Sequence, residues 1–210
     1  MQYQEKFTPP LLSAKIEKSL FTHIIFDLDG TLVDSAPGII AGISAALLQN
    51  SISPLCELTE AIIGTPLDDT LRIVTGISDS AMLKKLADSF KDYYDNAGYK
   101  QTLLFEGVNN MLHYLHSNGY TLHIATNKRL KPTLLILNYF GWKIIFSSVY
   151  TLDSAEPRYP NKIMMLSDQL EAELIASNDG VYVGDSEEDR TAAIENKLHF
   201  IHADWGYSDG

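Results

Sequence analysis

The fold is decided by residues 22–31, which have the sequence Thr-His-Ile-Ile-Phe-Asp-Leu-Asp-Gly-Thr. The apolar run predicts a buried strand over residues 22–26, and the polar run after it marks the end of that strand. Asp27 and Asp29 are two positions apart, so in extended backbone their side chains point to the same side. The strand therefore ends in two carboxyl groups, at the place where α/β proteins bind their ligands.

The chain downstream of residue 105 alternates between helical and strand-like patterns. We predict helices from Val108 to before Gly119 and over residues 131–140, 161–175 and 187–196, with strands over residues 120–125, 143–146, 181–183 and 199–202. This alternation is typical of an α/β fold with a doubly wound parallel sheet and helices on both faces. Because the carboxyl ends of parallel strands share one edge of the sheet, polar residues at those ends can converge on a ligand.

Residues 36–102 have a different character, with little that resembles a strand. Apolar side chains recur at helical spacing over residues 39–47 and again over residues 83–94. We therefore predict a small helical domain over residues 36–102. It would be inserted into an α/β core that consists of residues 1–35 and 103–210.

The charge balance limits the possible partners. The 210 residues include 27 acidic and 16 basic side chains, which give a formal net charge of −11. A field of that sign repels nucleic-acid phosphates and anionic membrane surfaces, so we expect neither as a partner. It would also repel a small anionic substrate, unless a cation or local basic groups reverse the charge at the site.

Three features predict a cytoplasmic location. Cys56 is the only cysteine, which is typical of a reducing compartment, and we expect it in the apolar interior. Residues 1–20 lack the basic start and long apolar run of a signal peptide, and we expect an extension that packs on the core or is partly loose. Residues 35–56 carry no charge, but prolines, glycines and amides interrupt them, so we expect a buried helix and turn rather than a membrane span.

Polar side chains follow several of the predicted strands. Those at the strand ends, together with one at the start of the helix over residues 161–175, are Asp27, Asp29, Thr126, Asn127, Lys162, Asp185 and Asp189. Crowded carboxylates need a hard cation, and their oxygen ligands suit Mg²⁺. A lysine, a hydroxyl and an amide beside them supply the donors that an anionic phosphoryl group requires. The sequence thus predicts a magnesium site that binds a phosphorylated ligand.

Each of these features alone has an ordinary structural explanation. A pair of aspartates after a strand is often a helix-capping turn, and the acidic run at residues 187–189 would stabilise a helix N-terminus. Thr126 and Asn127 would usually form a loop, and Lys162 would usually be a solvated helix residue. Their occurrence at successive strand ends of one predicted sheet is what favours a functional site.

Several segments resemble signatures of the haloacid dehalogenase superfamily. Residues 27–35, Asp-Leu-Asp-Gly-Thr-Leu-Val-Asp-Ser, closely resemble its first signature. Residues 122–128, Leu-His-Ile-Ala-Thr-Asn-Lys, resemble the second, and residues 183–189, Val-Gly-Asp-Ser-Glu-Glu-Asp, the fourth. Within the superfamily, Ile-Gly-Thr-Pro-Leu at residues 63–67 and Trp-Gly-Tyr at residues 205–207 resemble the phosphoglycolate phosphatase branch.

This resemblance implies a role for each matching aspartate. Asp27 would attack phosphorus and bind Mg²⁺. Asp29 would protonate the leaving oxygen, then activate the hydrolytic water, and bind Mg²⁺ through its backbone carbonyl. Asp185 would bind Mg²⁺, and Asp189 would either support the metal site or order its waters.

The resemblance also implies the reaction and the architecture. The chain would hydrolyse small phosphorylated metabolites similar to phosphoglycolate through an aspartyl-phosphate intermediate. Thr126, Asn127 and Lys162 would hold the phosphoryl oxygens. The helical domain over residues 36–102 would be a cap above the site, and the cap together with the loop around residues 64–66 would select the substrate.

The third signature departs from its common form, in which lysine directly precedes proline. Here Glu156-Pro157 occupies that place, and Arg158-Tyr159-Pro160-Asn161-Lys162 follows. A variant with the lysine a few residues later, at the helix start, also occurs in the family. Lys162 fits that variant, and Arg158 remains a competitor.

The same core can carry other functions. Asp29 disfavours a dehalogenase, which needs neither an acid at that position nor Mg²⁺. A phosphonate hydrolase would need a cap lysine that forms a Schiff base, but Lys84, Lys85 and Lys91 are spaced as on a solvated helix face. A sugar phosphomutase uses the same core and stays open. A non-catalytic phosphate-binding regulatory protein also stays open, although such a protein would be expected to have lost one of the polar residues.

Overall fold

The structure of the chain is a computed structural model that describes residues 21–60, 63 and 66–207. The strands are β1 (His23–Phe26), β2 (Val33–Asp34), β3 (Leu103–Leu104), β4 (Thr121–Thr126), β5 (Phe146–Thr151), β6 (Gly180–Gly184) and β7 (His199–His202). The α-helices are α1 (Ala36–Gln49), α2 (Leu67–Thr75), α3 (Ser80–Asn96), α4 (Val108–Ser117), α5 (Leu130–Tyr139), α6 (Lys162–Ala172) and α7 (Glu187–Glu195). The predictions for residues 1–20, Gly64 and Thr65 lie outside the described residues.

A five-stranded sheet with the order β5-β4-β1-β6-β7 forms the centre of the fold. All of its neighbouring strands pair in parallel, so the predicted α/β fold with a doubly wound parallel sheet is confirmed. The chain starts in the middle at β1, builds outward through β4 and β5, and then returns to add β6 and β7 on the other side. The carboxyl ends of β4, β1 and β6 are therefore adjacent, at the point where the strand order reverses.

Alternation along β1 divides the core between the two faces of this sheet. Ile24 and Phe26 belong to one buried cluster, with Trp142 and residues of α4 and α5. Ile25 faces the other way and packs with Met165 of α6 and with residues of α7. Because successive side chains of a strand point to opposite faces, three apolar residues in a row anchor helices on both sides.

Helices α1, α2 and α3 form an apolar cluster of their own, which includes Ile43, Leu71 and Leu86. The chain leaves the core through β2 and re-enters it through β3, and these two short strands pair antiparallel. Asp34 lies opposite Leu103 in this ladder. The two connections between the helical segment and the core therefore run side by side.

Three expectations about local structure were wrong or incomplete. The strand predicted over residues 143–146 is a 3₁₀ turn at Trp142–Ile144, and the strand follows it at Phe146–Thr151. The apolar run suggested a strand, but its apolar residues are not all buried: Trp142 is fully buried, while Ile144 points to solvent. Helix α2 was not predicted. Cys56 is exposed rather than buried, because it lies in the irregular segment after α1, and such segments run over the surface.

None of the helices in the described part of the chain is long and apolar enough to cross a membrane.

A chain of polar side chains crosses the interior of the sheet. His123 of β4 is fully buried. Its Nε2 atom lies 3.0 Å from Nδ1 of His23, and its Nδ1 atom lies 2.8 Å from Oγ of Ser148. Gln169 of α6 donates to the same Ser148 oxygen over 3.1 Å. Burial, followed by the neighbouring His23, lowers the pKa of His123 from 6.5 to about 4.

This shift predicts that the protein loses stability on acidification. Below its ordinary pKa of 6.5, His123 takes up a proton in the unfolded chain but stays neutral in the folded one until the pH approaches its folded pKa of about 4. The free energy of unfolding should therefore fall by about 2 kcal/mol between about pH 8 and about pH 5 through this residue alone. Urea denaturation at both pH values checks this, and the His123→Asn variant, which cannot titrate, should lose correspondingly less. Equal losses in the two proteins would contradict it.

Candidate active site

The polar residues of the candidate site lie at the carboxyl ends of the three central strands. Asp27 follows β1 directly, Thr126 is the last residue of β4, and Asp185 follows the last residue of β6. Phe26 is in register with Ile124 on one side and with Val183 on the other. These strand ends therefore lie close to one level, and Asp27 and Asp185, which follow two of them, come together with Asp189.

Lys162 joins two of the acidic residues. Its Nζ atom lies 3.0 Å from Oδ1 of Asp27 and 2.5 Å from Oδ1 of Asp189. The Lys162 side chain is only 3% exposed. It enters the site as the first residue of α6, which begins there because the Asn161 side chain accepts a hydrogen bond from the backbone of Met164 and caps the helix.

Burial and charge oppose each other in this triad. Burial, which dominates over the attraction of Lys162, raises the pKa of Asp27 from 3.8 to about 7. Burial alone would lower the pKa of Lys162, but the two carboxylates raise it above its ordinary value. For Asp189 burial would raise the pKa, yet Lys162 and the hydrogen bonds from Ser186 hold it below its usual range. Lys162 is thus a fixed positive charge next to a carboxyl group that resists ionisation.

Asp189 has partners on both carboxylate oxygens. Oδ1 accepts from Lys162 and, over 3.1 Å, from the hydroxyl of Tyr182. Oδ2 accepts from the backbone and the hydroxyl of Ser186, which closes a capping box at the start of α7. The carboxylate is therefore held rigidly, and it forms part of a helix cap as well as part of the site.

Asp185 is packed against glycine backbone. A Cβ atom at Gly30 would lie 2.3 Å from Oδ2 of Asp185, and one at Gly206 would lie 2.3 Å from its Cβ atom. Gly30 also has a φ of +84°, a conformation that glycine adopts without strain. The backbone N–H of Tyr207 donates to Oδ2 over 2.9 Å. Burial raises the pKa of Asp185 above its ordinary value, because this contact only partly offsets the lost hydration.

These carboxylates fit a bound cation. Oxygen atoms of Asp27, Asp185 and Asp189 lie within 4.8 Å of one another, and all three residues are buried. Lys162 is the only basic side chain that the structure gives as an ion-pair partner to this trio in the described part of the chain. A hard divalent cation would satisfy the remaining negative charge with the oxygen ligands that it prefers.

Within the described residues, the end of β4 makes no hydrogen bond to this trio. Thr126 is buried, and its hydroxyl accepts from the backbone of Lys128 over 3.3 Å. Asn127 is exposed and its amide donates to Glu188 over 2.7 Å. The structure therefore places Asn127 against the first turn of α7.

Asp29 and Arg158 do not belong to the trio, although the charge of Asp29 helps to raise the pKa of Asp27. Both carboxylate oxygens of Asp29 accept from Nζ of Lys128, over 3.1 and 3.0 Å. Arg158, the competitor of Lys162, is exposed and has no ion pair within the described residues. Of the two cations in this segment, only Lys162 reaches the carboxylates.

Sequence reasoning overlooked two residues at the site. Lys128 lies within the segment that resembles the second signature, so its proximity could have been suspected. Tyr207 lies far from Asp34 in sequence, yet its hydroxyl donates to that carboxylate over 2.7 Å and accepts from the backbone of Ser35 and Ala36 over 2.6 and 3.1 Å. Nothing local in the sequence signals such a contact.

Tyr207 should stabilise the junction between β2 and α1. The Tyr207→Phe variant keeps the ring but leaves the backbone N–H of Ser35 without this acceptor, which should cost about 1–3 kcal/mol in the free energy of unfolding. Urea denaturation measures this cost. Tyr114→Phe is the control, since Tyr114 is 67% exposed and loss of its hydroxyl should change little. A loss no larger than in the control would show that the Tyr207 hydroxyl contributes nothing.

With this geometry in view, comparison with known proteins identifies the class. The profile of the haloacid dehalogenase-like hydrolases matches residues 24–203. The chain belongs to this family, and the predicted family and hydrolase class are confirmed.

Several known proteins are similar to this chain over most of its length. A phosphoglycolate phosphatase from Xanthomonas campestris is 31% identical over 191 residues, which cover 89% of this chain and 85% of that protein. The solved structure of a predicted phosphoglycolate phosphatase from Haemophilus somnus has a TM-score of 0.79 at 26% identity, and covers 89% of this chain and 87% of its own. Protein Tyrosine Kinase A from Mycobacterium tuberculosis has a TM-score of 0.75 at 30% identity, with 91% and 87% covered.

Proposed function

We propose that the chain is a magnesium-dependent phosphatase that hydrolyses small phosphomonoesters similar to phosphoglycolate through an aspartyl-phosphate on Asp27. The observation that carries this proposal is the buried group of Asp27, Asp185 and Asp189 around Lys162. A carboxylate nucleophile, oxygen ligands for a metal and a fixed cation are together what phosphoryl transfer requires. The phosphoglycolate phosphatases among the relatives support the same substrate class.

Each residue has a proposed part in the reaction. Asp27 would attack phosphorus, and Lys162 would neutralise charge on that carboxylate and on a phosphoryl oxygen. Thr126 and Asn127 would donate to the phosphoryl group, for which Asn127 would have to leave Glu188. Asp29 would give a proton to the leaving oxygen and then take one from the hydrolytic water.

The metal site would use a subset of the carboxylates. We assign Asp27, Asp185 and the backbone carbonyl of Asp29 to Mg²⁺, which when bound would offset the charge that develops on the phosphoryl oxygens. Asp189 is better suited to support, because hydrogen bonds already occupy both of its carboxylate oxygens. It would hold Lys162 in place.

The remaining assignments concern access to the site. We propose that residues 36–102 form a cap domain on a core of residues 1–35 and 103–210, and that the substrate is enclosed between them. The paired linkers β2 and β3 support this division, as does the separate apolar cluster of α1, α2 and α3. A small phosphorylated substrate, a cytoplasmic location and the lack of nucleic-acid or membrane partners remain predictions.

A sugar phosphomutase would use the same core residues, and assays of the products separate it from a phosphatase. A non-catalytic regulatory protein is disfavoured by the intact set of carboxylates and Lys162. The kinase among the relatives shares the fold at 30% identity, and no observation at this site favours a nucleotide over a small phosphomonoester.

A metal-dependence assay tests the proposal. Purified protein should hydrolyse p-nitrophenyl phosphate with Mg²⁺, lose the activity in EDTA and regain it when Mg²⁺ is added back in excess. Ca²⁺ should not replace Mg²⁺, because its larger shell of about 6–8 ligands disfavours a compact octahedral site. Undiminished turnover in EDTA, or full turnover with Ca²⁺ alone, would contradict the proposed metal site.

A further inference from the structure

Lys128 is a buried cation that has no part in the proposed phosphatase reaction. Its side chain is 7% exposed, as a lysine rarely is without a specific partner. That partner is Asp29, whose two carboxylate oxygens both accept from the Lys128 ammonium group. Burial would lower the pKa of Lys128, but Asp29 raises it above its ordinary value, so the residue is a permanent positive charge.

The contact with Asp29 places this charge on the side of the leaving group. If Asp29 protonates the leaving oxygen, its carboxyl group has to face that oxygen, and a cation in contact with Asp29 lies nearby. Lys162, by contrast, contacts Asp27, on the side of the nucleophile. The two buried lysines would therefore flank the phosphoryl group from opposite sides.

Lys128 also lies at the border between the sheet and the helical segment. Its ammonium nitrogen is 4.7 Å from the centroid of the Tyr94 ring of α3, a distance at which a ring face attracts a cation. The ammonium group therefore lies where the core meets residues 36–102, the proposed cap under which a substrate would be enclosed.

The nearby carboxylate of Asp95 does not pair with Lys128. Asp95 is the residue after Tyr94. Its carboxylate accepts hydrogen bonds from the Arg129 guanidinium over 2.6 and 3.2 Å and forms an ion pair with Nζ of Lys131 over 3.3 Å. These pairs tie the segment that carries Lys128 to α3. They also leave Lys128 with Asp29 as its ion-pair partner in the described part of the chain.

We propose that Lys128 is a specificity residue that binds a negative charge on the leaving group, such as a carboxylate next to the ester oxygen. Without substrate it rests on Asp29. An anionic leaving group takes over one of its hydrogen bonds and frees an oxygen of Asp29 to face the leaving oxygen. The protein, whose net charge is −11, would thereby attract an anion to the leaving-group side. This inference rests on the proposed phosphatase function and adds the chemical property that the site selects.

The test compares two substrates of similar size that differ in charge. These are 2-phosphoglycolate, whose leaving group carries a carboxylate, and 2-hydroxyethyl phosphate, whose leaving group is neutral. The wild-type protein should prefer the first in kcat/KM. Lys128→Met keeps the length and removes the charge, and should lower this preference by about 10- to 100-fold, the worth of one hydrogen bond to a charged group. Lys131→Met, at a side chain that is 69% exposed, is the matched control and should leave the preference unchanged.

A binding measurement gives a second readout that needs no turnover. Calorimetric titration of 2-phosphoglycolate into Asp27→Asn protein should give a Kd that Lys128→Met weakens by about 10-fold or more, and that Lys131→Met does not change. Equal losses on both substrates with an unchanged Kd would overturn the inference and leave Lys128 as a residue that only orients Asp29. Absence of p-nitrophenyl phosphate hydrolysis by the wild-type protein would instead overturn the phosphatase function, and this inference with it.

Discussion

Asp27→Asn should abolish turnover of every phosphomonoester. The amide is a poor nucleophile, and the substitution also removes a charge from the proposed metal site. Because phosphate-monoester hydrolysis is among the slowest uncatalysed reactions, little background rate should remain. The fold should persist, since the side-chain oxygen of asparagine can still accept from Lys162, which lies 3.0 Å from Oδ1 of Asp27.

Steady-state and single-turnover assays measure this loss. The matched control is Asp179→Asn, because Asp179 is exposed and lies just before β6, at the opposite end of the strand from Asp185. It removes the same charge and should keep full activity. If Asp27→Asn retained more than about a tenth of the wild-type kcat, Asp27 would not be the nucleophile.

Lys162→Met should be the next most damaging substitution, with kcat/KM lowered by at least about 100-fold. This is the usual effect of removing one preorganised electrostatic contact. Here the contact is buried and serves two carboxylates at once, over 3.0 and 2.5 Å. No other basic side chain among the described residues forms an ion pair with Asp27 or Asp189. The loss should fall on kcat as well as KM, because the charge acts on the group that reacts.

Arg158→Met is the control variant, because Arg158 is the other basic residue that could fill the third-signature role. Arg158 is exposed, and its loss should cost less than about 10-fold in kcat/KM, mainly through KM. Circular dichroism of both variants checks that each is folded. A larger loss in Arg158→Met than in Lys162→Met would assign the third-signature role to Arg158.

The sheet could be predicted from the sequence because strands and helices alternate along the chain. The strands appear as short apolar runs, and the helices as apolar residues at helical spacing. The central strand over residues 22–26 was the clearest, since three apolar residues in a row are needed where both faces are buried. The edge strand β5 was misplaced. Its sequence, Phe-Ser-Ser-Val-Tyr-Thr, has polar residues that pair inside the fold, as Ser148 does with His123, so the apolar pattern weakens where the strand actually lies.

The residues of the candidate site could be predicted because strand ends of a parallel sheet meet at one edge, but their pairings could not. Whether Lys162 or Arg158 turns inward depends on the exact start of α6 and on the space beside Asp27. Asn127 contacts Glu188 and Lys128 contacts Asp29, choices that follow from the relative position of distant loops. Their catalytic roles stay predictions.

The most direct test of the account is to trap the covalent intermediate. Protein mixed with substrate and Mg²⁺ is quenched in acid within a single turnover, digested, and analysed by mass spectrometry. The peptide containing Asp27 should gain the mass of one phosphoryl group. This added mass should disappear once the substrate is exhausted, and it should be absent in Asp27→Asn. Full turnover with no phosphorylated Asp27 at any quench time, or with the added mass on another residue, would contradict the account.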